Sequence, residues 1–419
     1  MSSYMDFGAQ LPTQRFLVMQ LARFGDVIQT KRLVQSLKAQ GQVELLVDNS
    51  LISLAKLIYP DLLIHGLPAH GTHGPLCLTQ LKNDLEVVAQ KTYTQVYNLN
   101  FSGINFALST MFSAQSVRGY KLEHGQRQID FWPEQLMRWT KMRAQAGLNL
   151  VDAWGLYADQ AMDPALINPV ATPKGGGLGV VMAGQNARRS LPPKVLAPLV
   201  LAARNRLDHG PIYLLGAGHE SRAAKEVAHL LPAALRSEVR DLVGKTSWPE
   251  LFSVVGNLDL LLSPDTGTMH LAAHLGVPTL AFFLSSAWCH ETGPYGQGHL
   301  VLQAISDCAP CLEQSPCPHD VLCCNVFSTP QVLAFVSGRE DKELPSGITA
   351  MVSGFDALGL TYTARSGHDP DHKQRLAFRA LAMGVAHLGF TGPVDQRLAQ
   401  TLFYERDWML PQQRSWRHE

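Results

Sequence analysis

The stretch Ser263-Pro264-Asp265-Thr266-Gly267-Thr268-Met269-His270-Leu271-Ala272-Ala273-His274-Leu275-Gly276-Val277-Pro278-Thr279 follows an apolar run, Leu258 to Leu262. The run reads as a buried strand. A carboxylate, a hydroxyl and a glycine come next, and then an alanine-rich helix opens with His270 in its first turn. A strand that ends this way at a helix N-terminus can hold an anion, because unpaired backbone N–H groups and the positive end of the helix dipole point at it. Gly267 would let a phosphate approach the backbone with no Cβ in the way. The plainer alternative is that Asp265 caps a buried helix. The rest of the chain has to decide between them.

With 419 residues the chain exceeds one ordinary core, which predicts two domains and an extra segment. Hydrophobic residues make up 46% and charged residues 17%, values of a globular protein rather than a disordered one. Lys+Arg and Asp+Glu stand at 35 each, so net charge gives no case for nucleic-acid binding. No apolar run reaches the ~18 residues a membrane span needs. Met1 to Gln14 lacks the basic start and apolar core of a secretory signal, and a cytoplasmic location is expected. Seven Cys, two of them adjacent at Cys323 and Cys324, do not suggest a secreted disulfide framework.

The first half alternates strand and helix. Arg15 to Leu21 reads as a buried parallel strand, and a helix is expected from about Val27 to Ala39. Asp26 then sits at the strand-to-helix junction, the edge where ligands bind in open α/β sheets. It reads either as a structural N-cap or as a carboxylate base at the mouth of a cleft. Further strands are expected at Val43–Val47, Leu62–Ile64, Gln95–Leu99 and Ser116–Tyr120. The fourth strand exits at Asn100-Phe101-Ser102-Gly103, a second polar edge. This order predicts a doubly wound parallel sheet. His65, His70 and His73 lie in a Gly- and Pro-rich loop with no defensible metal-ligand spacing. Trp132, Trp139 and Trp154 predict helices packed over the domain edge.

Lys174-Gly175-Gly176-Gly177 is the strongest linker signal, and the pattern restarts after it. A strand at Val180–Ala183 exits through Arg188 and Arg189, which can pair with a diphosphate or simply lie exposed. The Ile212–Leu215 strand leads into Gly216-Ala217-Gly218-His219-Glu220, a weak nucleotide-loop signal taken alone.

At this point the residues resemble a known family. Leu242-Val243-Gly244-Lys245-Thr246-Ser247, Asp265-Thr266-Gly267-Thr268-Met269-His270-Leu271-Ala272-Ala273, Leu275-Gly276-Val277-Pro278-Thr279 and Thr292-Gly293-Pro294-Tyr295-Gly296 look like glycosyltransferase family 9, the bacterial lipopolysaccharide heptosyltransferases. Gly25-Asp26-Val27-Ile28 looks like that family's first loop, so the resemblance runs from about residue 15 to 335. It implies an α/β chain of the GT-B fold, with two Rossmann-like domains and parallel sheets facing a central cleft, plus a helical C-terminal extension. The implied domains are an acceptor-binding domain over residues 1–173 and a nucleotide-sugar domain over 174–336, with the extension over 337–419. The implied reaction inverts the anomeric carbon without a cofactor or a catalytic metal. It moves a heptose or related sugar from a nucleotide donor, ADP-heptose, to a lipopolysaccharide core-type glycolipid. Asp26 matches the catalytic base. Arg189, Glu220, Lys245, Thr246, Asp265, Thr266, Gly267 and His270 fall on donor-binding positions. Arg189 departs from the family's usual Lys, which changes the geometry of a phosphate contact. Phe101 and Ser102 are expected on the acceptor side. No nucleic-acid partner is implied, and peripheral contact with the cytoplasmic face of the inner membrane is left open.

The Cys308, Cys311, Cys317 and Cys324 series resembles a Cys-rich stretch of the family; structural thiols are the favoured reading and a zinc site the weaker one. In the extension, helices are expected at Lys373–Leu388 and Asp395–Phe403, and the aromatic, basic tail from Trp408 reads as packing or as a membrane contact. A second functional reading keeps the fold but not the reaction: a silent module that binds a nucleotide sugar or a protein partner.

Overall fold

The computed structural model of the chain describes residues 14–70, 85–182, 187–207, 209–312, 315–339, 343–386 and 398. The expected first strand is β1 (Gln14–Gln20), buried from Phe16 onward because both faces are covered by helices. It is joined by β2 (Gly41–Asp48), β3 (Leu63–Leu67), β4 (Gln95–Asn98), β5 (Val117–Glu123) and β6 (Gln126–Ile129). Their order is β3-β2-β1-β4-β5-β6, parallel except for the β5–β6 hairpin. The second sheet contains β7 (Leu178–Val181), β8 (Ile212–Leu215), β9 (Val239–Asp241), β10 (Leu260–Pro264), β11 (Thr279–Phe283), β12 (Leu300–Ala304), β13 (Ile348–Phe355) and β14 (Leu360–Ser366). Its order is β14-β13-β12-β11-β10-β7-β8-β9, parallel from β12 to β9. Two doubly wound lobes thus face each other, the GT-B arrangement expected from the resemblance.

Three stretches differ from the sequence reading. The helix expected from Val27 starts earlier, at Phe24, and is broken into Phe24–Gln29 and Lys31–Lys38. The break falls at Thr30, whose hydroxyl donates to the Val27 carbonyl at 2.7 Å, a local bond that competes with the helix ladder. Asp26 therefore lies inside the first turn, and Arg23 holds the cap position. The glycine run is a pinned turn rather than a loose linker. Asp259 accepts from the backbone N–H groups of Gly175 and Gly177. Gly177 has φ +93°, and a Cβ there would meet the Pro211 carbonyl at 2.4 Å, so glycine is required.

The extension, in turn, opens with sheet. β13 lies antiparallel to β12, and β14 closes the hairpin. Ile348 to Met351 are buried in succession, so β13 carries no clean period-2 alternation, and the sequence reading passed it over. The first helix expected in the extension is present at His372–Val385. The Asp395–Phe403 helix and the tail from Trp408 fall outside the described residues apart from residue 398, as do His73 and the 183–186 part of the β7 exit.

The His372–Val385 helix packs on the first lobe. Phe378 meets Trp139 edge-on, with ring centroids 5.0 Å apart, and Arg375 donates to the Ala144 carbonyl at 2.8 Å. The largest core cluster accordingly mixes first-lobe residues such as Val18 and Leu33 with Leu258, Leu271 and Phe378. Asp152, with no exposed surface, accepts from Arg32 at 2.6 Å, from the Tyr295 hydroxyl at 2.6 Å and from the Leu360 N–H at 2.7 Å. These contacts fix the two lobes against each other. Among the described residues no helix is long and apolar enough to cross a membrane.

Candidate active site

The opening stretch forms the end of β10 and the helix Gly267–His274. Its cap is Thr266, not Asp265: the Thr266 hydroxyl accepts from the Met269 N–H at 3.4 Å. The backbone N–H groups of Met269 and His270 bond to the Thr266 carbonyl, while those of Gly267 and Thr268, the first in the helix, have no acceptor within it. Freed from capping, the Asp265 carboxylate gathers side chains. Arg189 and Thr292 both donate to its Oδ2, the latter at 2.9 Å, and His270 Nε2 lies 3.7 Å from Oδ1. Arg189 also donates to the Asp265 carbonyl at 3.2 Å.

The first lobe inserts Phe24-Gly25-Asp26 against this helix. A Cβ on Gly267 would lie 2.1 Å from Phe24 Cδ1, and one on Gly25 would lie 3.0 Å from His270 Cδ2. Both glycines permit close approach of the lobes. Gly267 is thus demanded by a facing aromatic ring, a reason the sequence did not show. Phe24 meets Trp248 edge-on at 4.8 Å, and Trp248 Nε1 donates to the Ser50 carbonyl at 3.1 Å.

Asp26 Oδ2 accepts the Arg23 N–H at 3.0 Å. Burial raises the Asp26 carboxyl above its ordinary value, partly offset by that N–H and by His270. Burial likewise lowers His270, against the pull of Asp265 and Asp26, and so favours the neutral imidazole.

A cavity of about 910 Å³ runs between the lobes. Asp26, Phe24 and Arg23 line it from the first lobe. Arg189, Glu220, Thr246, Asp265, Thr266, Gly267 and His270 line it from the second. The fold therefore brings together most of the residues singled out from the sequence. Glu220 accepts the Ala217 N–H at 2.8 Å, and burial raises its carboxyl.

Lys245 is not among them. Its ammonium turns away to the Asp241 carbonyl at 2.8 Å and the Asp241 carboxylate at 3.4 Å, where both charges stay hydrated. Phe101 and Ser102 also lie outside the cavity lining. Ser102 caps the Gly103–Ser109 helix through the Asn105 N–H, and the half-exposed Phe101 packs edge-on against Phe106 and Tyr120. The sequence reading missed Phe24, Trp248 and Thr292 as wall residues. For Thr292 the signal was its place in a quoted family string; for the two aromatics there was none.

The cysteines regroup. Cys308, Cys311, Cys317 and Cys323 line a separate cavity of about 410 Å³, whereas the Cys324 thiol points to Asn325. Adjacent residues on a tight helical turn point in different directions, so Cys323 takes the place expected for Cys324. Among the described residues no group of three or more His, Cys, Asp or Glu side chains is arranged to hold a metal ion.

Comparison with known proteins agrees with the geometry. The family model described as glycosyltransferase family 9 (heptosyltransferase) matches residues 202–320, a segment that contains Glu220, Thr246, Asp265 and His270. Comparison with curated proteins gave no match. Among solved structures, the ADP-heptose lipopolysaccharide heptosyltransferase II of E. coli is similar at 16% identity and a TM-score of 0.55, over 78% of this chain and 100% of that one. The E. coli heptosyltransferase WaaC with ADP is similar at 16% identity and a TM-score of 0.51, over 68% of this chain and 91% of that one. A family 9 glycosyltransferase from Veillonella parvula is similar at 15% identity and a TM-score of 0.51, over 69% and 86% respectively. The chain therefore has the heptosyltransferase-type GT-B fold.

Proposed function

We propose that the protein is an inverting glycosyltransferase that moves a heptose, or a related sugar, from ADP-heptose to a hydroxyl of a lipopolysaccharide core-type glycolipid. The observation that carries this reading is the meeting of two groups from opposite lobes in one cavity. Asp26 comes from the first sheet's edge, and the Gly267–Thr268 N–H groups with Arg189 come from the second.

The nucleoside diphosphate lies along the second lobe, with Glu220 and Thr246 at the nucleoside end. Asp26 removes the proton from the acceptor hydroxyl. The oxygen forms a bond to the anomeric carbon on the face away from the diphosphate, and the bond from that carbon to the diphosphate oxygen breaks. The electron pair leaves with the nucleoside diphosphate, and the proton passes from Asp26 to solvent. Negative charge grows on the leaving group, where helix N–H groups, the helix dipole and Arg189 stabilise it. The reaction so drawn uses no catalytic metal. Two similar structures, one described as an ADP-heptose heptosyltransferase and one solved with ADP, support an adenine donor. We place acceptor binding on residues 1–173 and donor binding on 174–336, at the cytoplasmic face of the inner membrane.

The test is transfer by the wild type and by Asp26→Ala, with product ADP measured, and calorimetric titration of the donor. Loss of a base costs roughly 100- to 10,000-fold in rate, and donor affinity is expected to stay within about twofold. Transfer by Asp26→Ala at the wild-type rate would remove the base assignment. Binding without turnover by the wild type on every glycan acceptor would favour the silent module.

A further inference from the structure

The helix that carries Asp26 brings a second polar side chain to the main cavity. Gln29 stands three residues further on, on the same helix face as Asp26, and both line the cavity. Gln29 is 4% exposed, and its side-chain Nε2 has no hydrogen-bond partner among the described residues. We infer that Gln29 is an acceptor-binding residue: its amide holds a second hydroxyl of the acceptor sugar, beside the one that Asp26 deprotonates. This rests on the reading of Asp26 as the base.

A buried amide nitrogen without a partner costs stability, so a group that pairs with it gains by binding there. The helix itself has no use for it. The helix ends before Thr30, whose N–H goes to the Asp26 carbonyl at 3.2 Å and whose hydroxyl goes to the Val27 carbonyl at 2.7 Å. The Tyr59 hydroxyl donates to the same Val27 carbonyl at 2.9 Å. The helix end is thus closed without Gln29. Polar groups elsewhere on the cavity wall are committed too. Trp248 Nε1 donates to the Ser50 carbonyl at 3.1 Å, and the Ser247 hydroxyl donates to Glu250 at 2.7 Å.

The chemistry of the occupant follows from the amide. A primary amide both donates and accepts, as a sugar hydroxyl does. It is neutral, so it adds no cation beside Asp26 and leaves that carboxyl at the value to which burial raises it, which makes it a better base. The donor's partners Arg189, Glu220 and Thr246 come from the second lobe, whereas Gln29 and Asp26 share one helix of the first. Two side chains one helical turn apart can grip two hydroxyls of one sugar. That grip selects which hydroxyl meets the base and holds it for attack.

Gln29→Met removes the amide at nearly constant length, and Gln29→Ala removes the side chain. Both are compared with the wild type in transfer to a series of core-truncated lipopolysaccharides at saturating ADP-heptose, and in calorimetric titration with ADP-heptose. The acceptor KM is expected to rise at least about fivefold in each variant, because a sugar hydroxyl loses its partner in a buried site. ADP-heptose affinity is expected to stay within about twofold. The Tm of Gln29→Met is expected to be no lower than that of the wild type, since an unpaired buried amide is removed; a structural role would lower it. A smaller rise in the acceptor KM of Gln29→Met overturns the inference. So does a loss of donor affinity that matches the loss of transfer, which would put Gln29 on the nucleotide sugar. If the wild type transfers to none of the lipopolysaccharides, the proposed reaction fails first and this inference falls with it.

Discussion

Asp26 illustrates a residue placed against its own stability. Its burial raises the carboxyl's pKa in the folded protein, with the Arg23 N–H and His270 working the other way. A carboxyl with a raised folded pKa favours the folded state at low pH. That contribution is fully present below the unfolded pKa and is lost as pH rises through the folded one. At neutral pH the ionised Asp26 therefore costs stability. Asp26→Asn keeps an oxygen for the Arg23 N–H and removes the charge. Scanning calorimetry should find its Tm above that of the wild type at pH 7, and the gain should shrink toward pH 4. An equal gain at both pH values would mean that burial of the charge is not the cause. The same shift moves the acid limb of the activity profile above the pH expected for an ordinary carboxylate.

At the scale of elements, the site is an interlock of two helix starts. Phe24 occupies the space that a side chain at residue 267 would need, and His270 occupies the space beside Gly25. Gly267→Ala is expected to push the lobes' loops apart and weaken ADP binding about tenfold or more. Combined with Phe24→Ala, it should recover most of that loss, because the clash and its partner are removed together. A double-mutant cycle read by calorimetry measures the coupling. Additive losses would show that the glycine serves the phosphate alone. Of the two readings of this stretch made from the sequence, the structure bears on the cap: the helix is capped, but by Thr266, and Asp265 is thereby left to organise Arg189, Thr292 and His270.

At the scale of the molecule, the lobes are held by a buried network rather than by a free hinge at the glycines. Arg32 and Asp152 are 3% and 0% exposed at their side chains, and Asp152 also takes the Tyr295 hydroxyl and the Leu360 N–H. Removing one partner leaves a buried charge unpaired. Arg32→Met should therefore lower stability by about 3–5 kcal/mol in urea unfolding. A change below about 1 kcal/mol would class the pair with solvated surface contacts.

The sequence alone determined the two doubly wound sheets, because strand and helix periods are local and each parallel strand is a short apolar run. It also determined Asp26, Arg189, Glu220, Asp265 and His270 as candidate residues, because they lie at strand exits or in strings resembling a family. Tertiary structure decided the rest. It turned Lys245 outward and made Ser102 a cap, since a polar side chain's direction depends on the neighbours that satisfy it. It brought Phe24 onto Gly267 and Phe378 against Trp139 from positions hundreds of residues apart, and no local pattern encodes such contacts. The stretch from Ser263 to Thr279 announced a helix that could face an anion. Only the packing of a second lobe against it determined which of its side chains cap the helix, which gather partners and why residue 267 has no side chain.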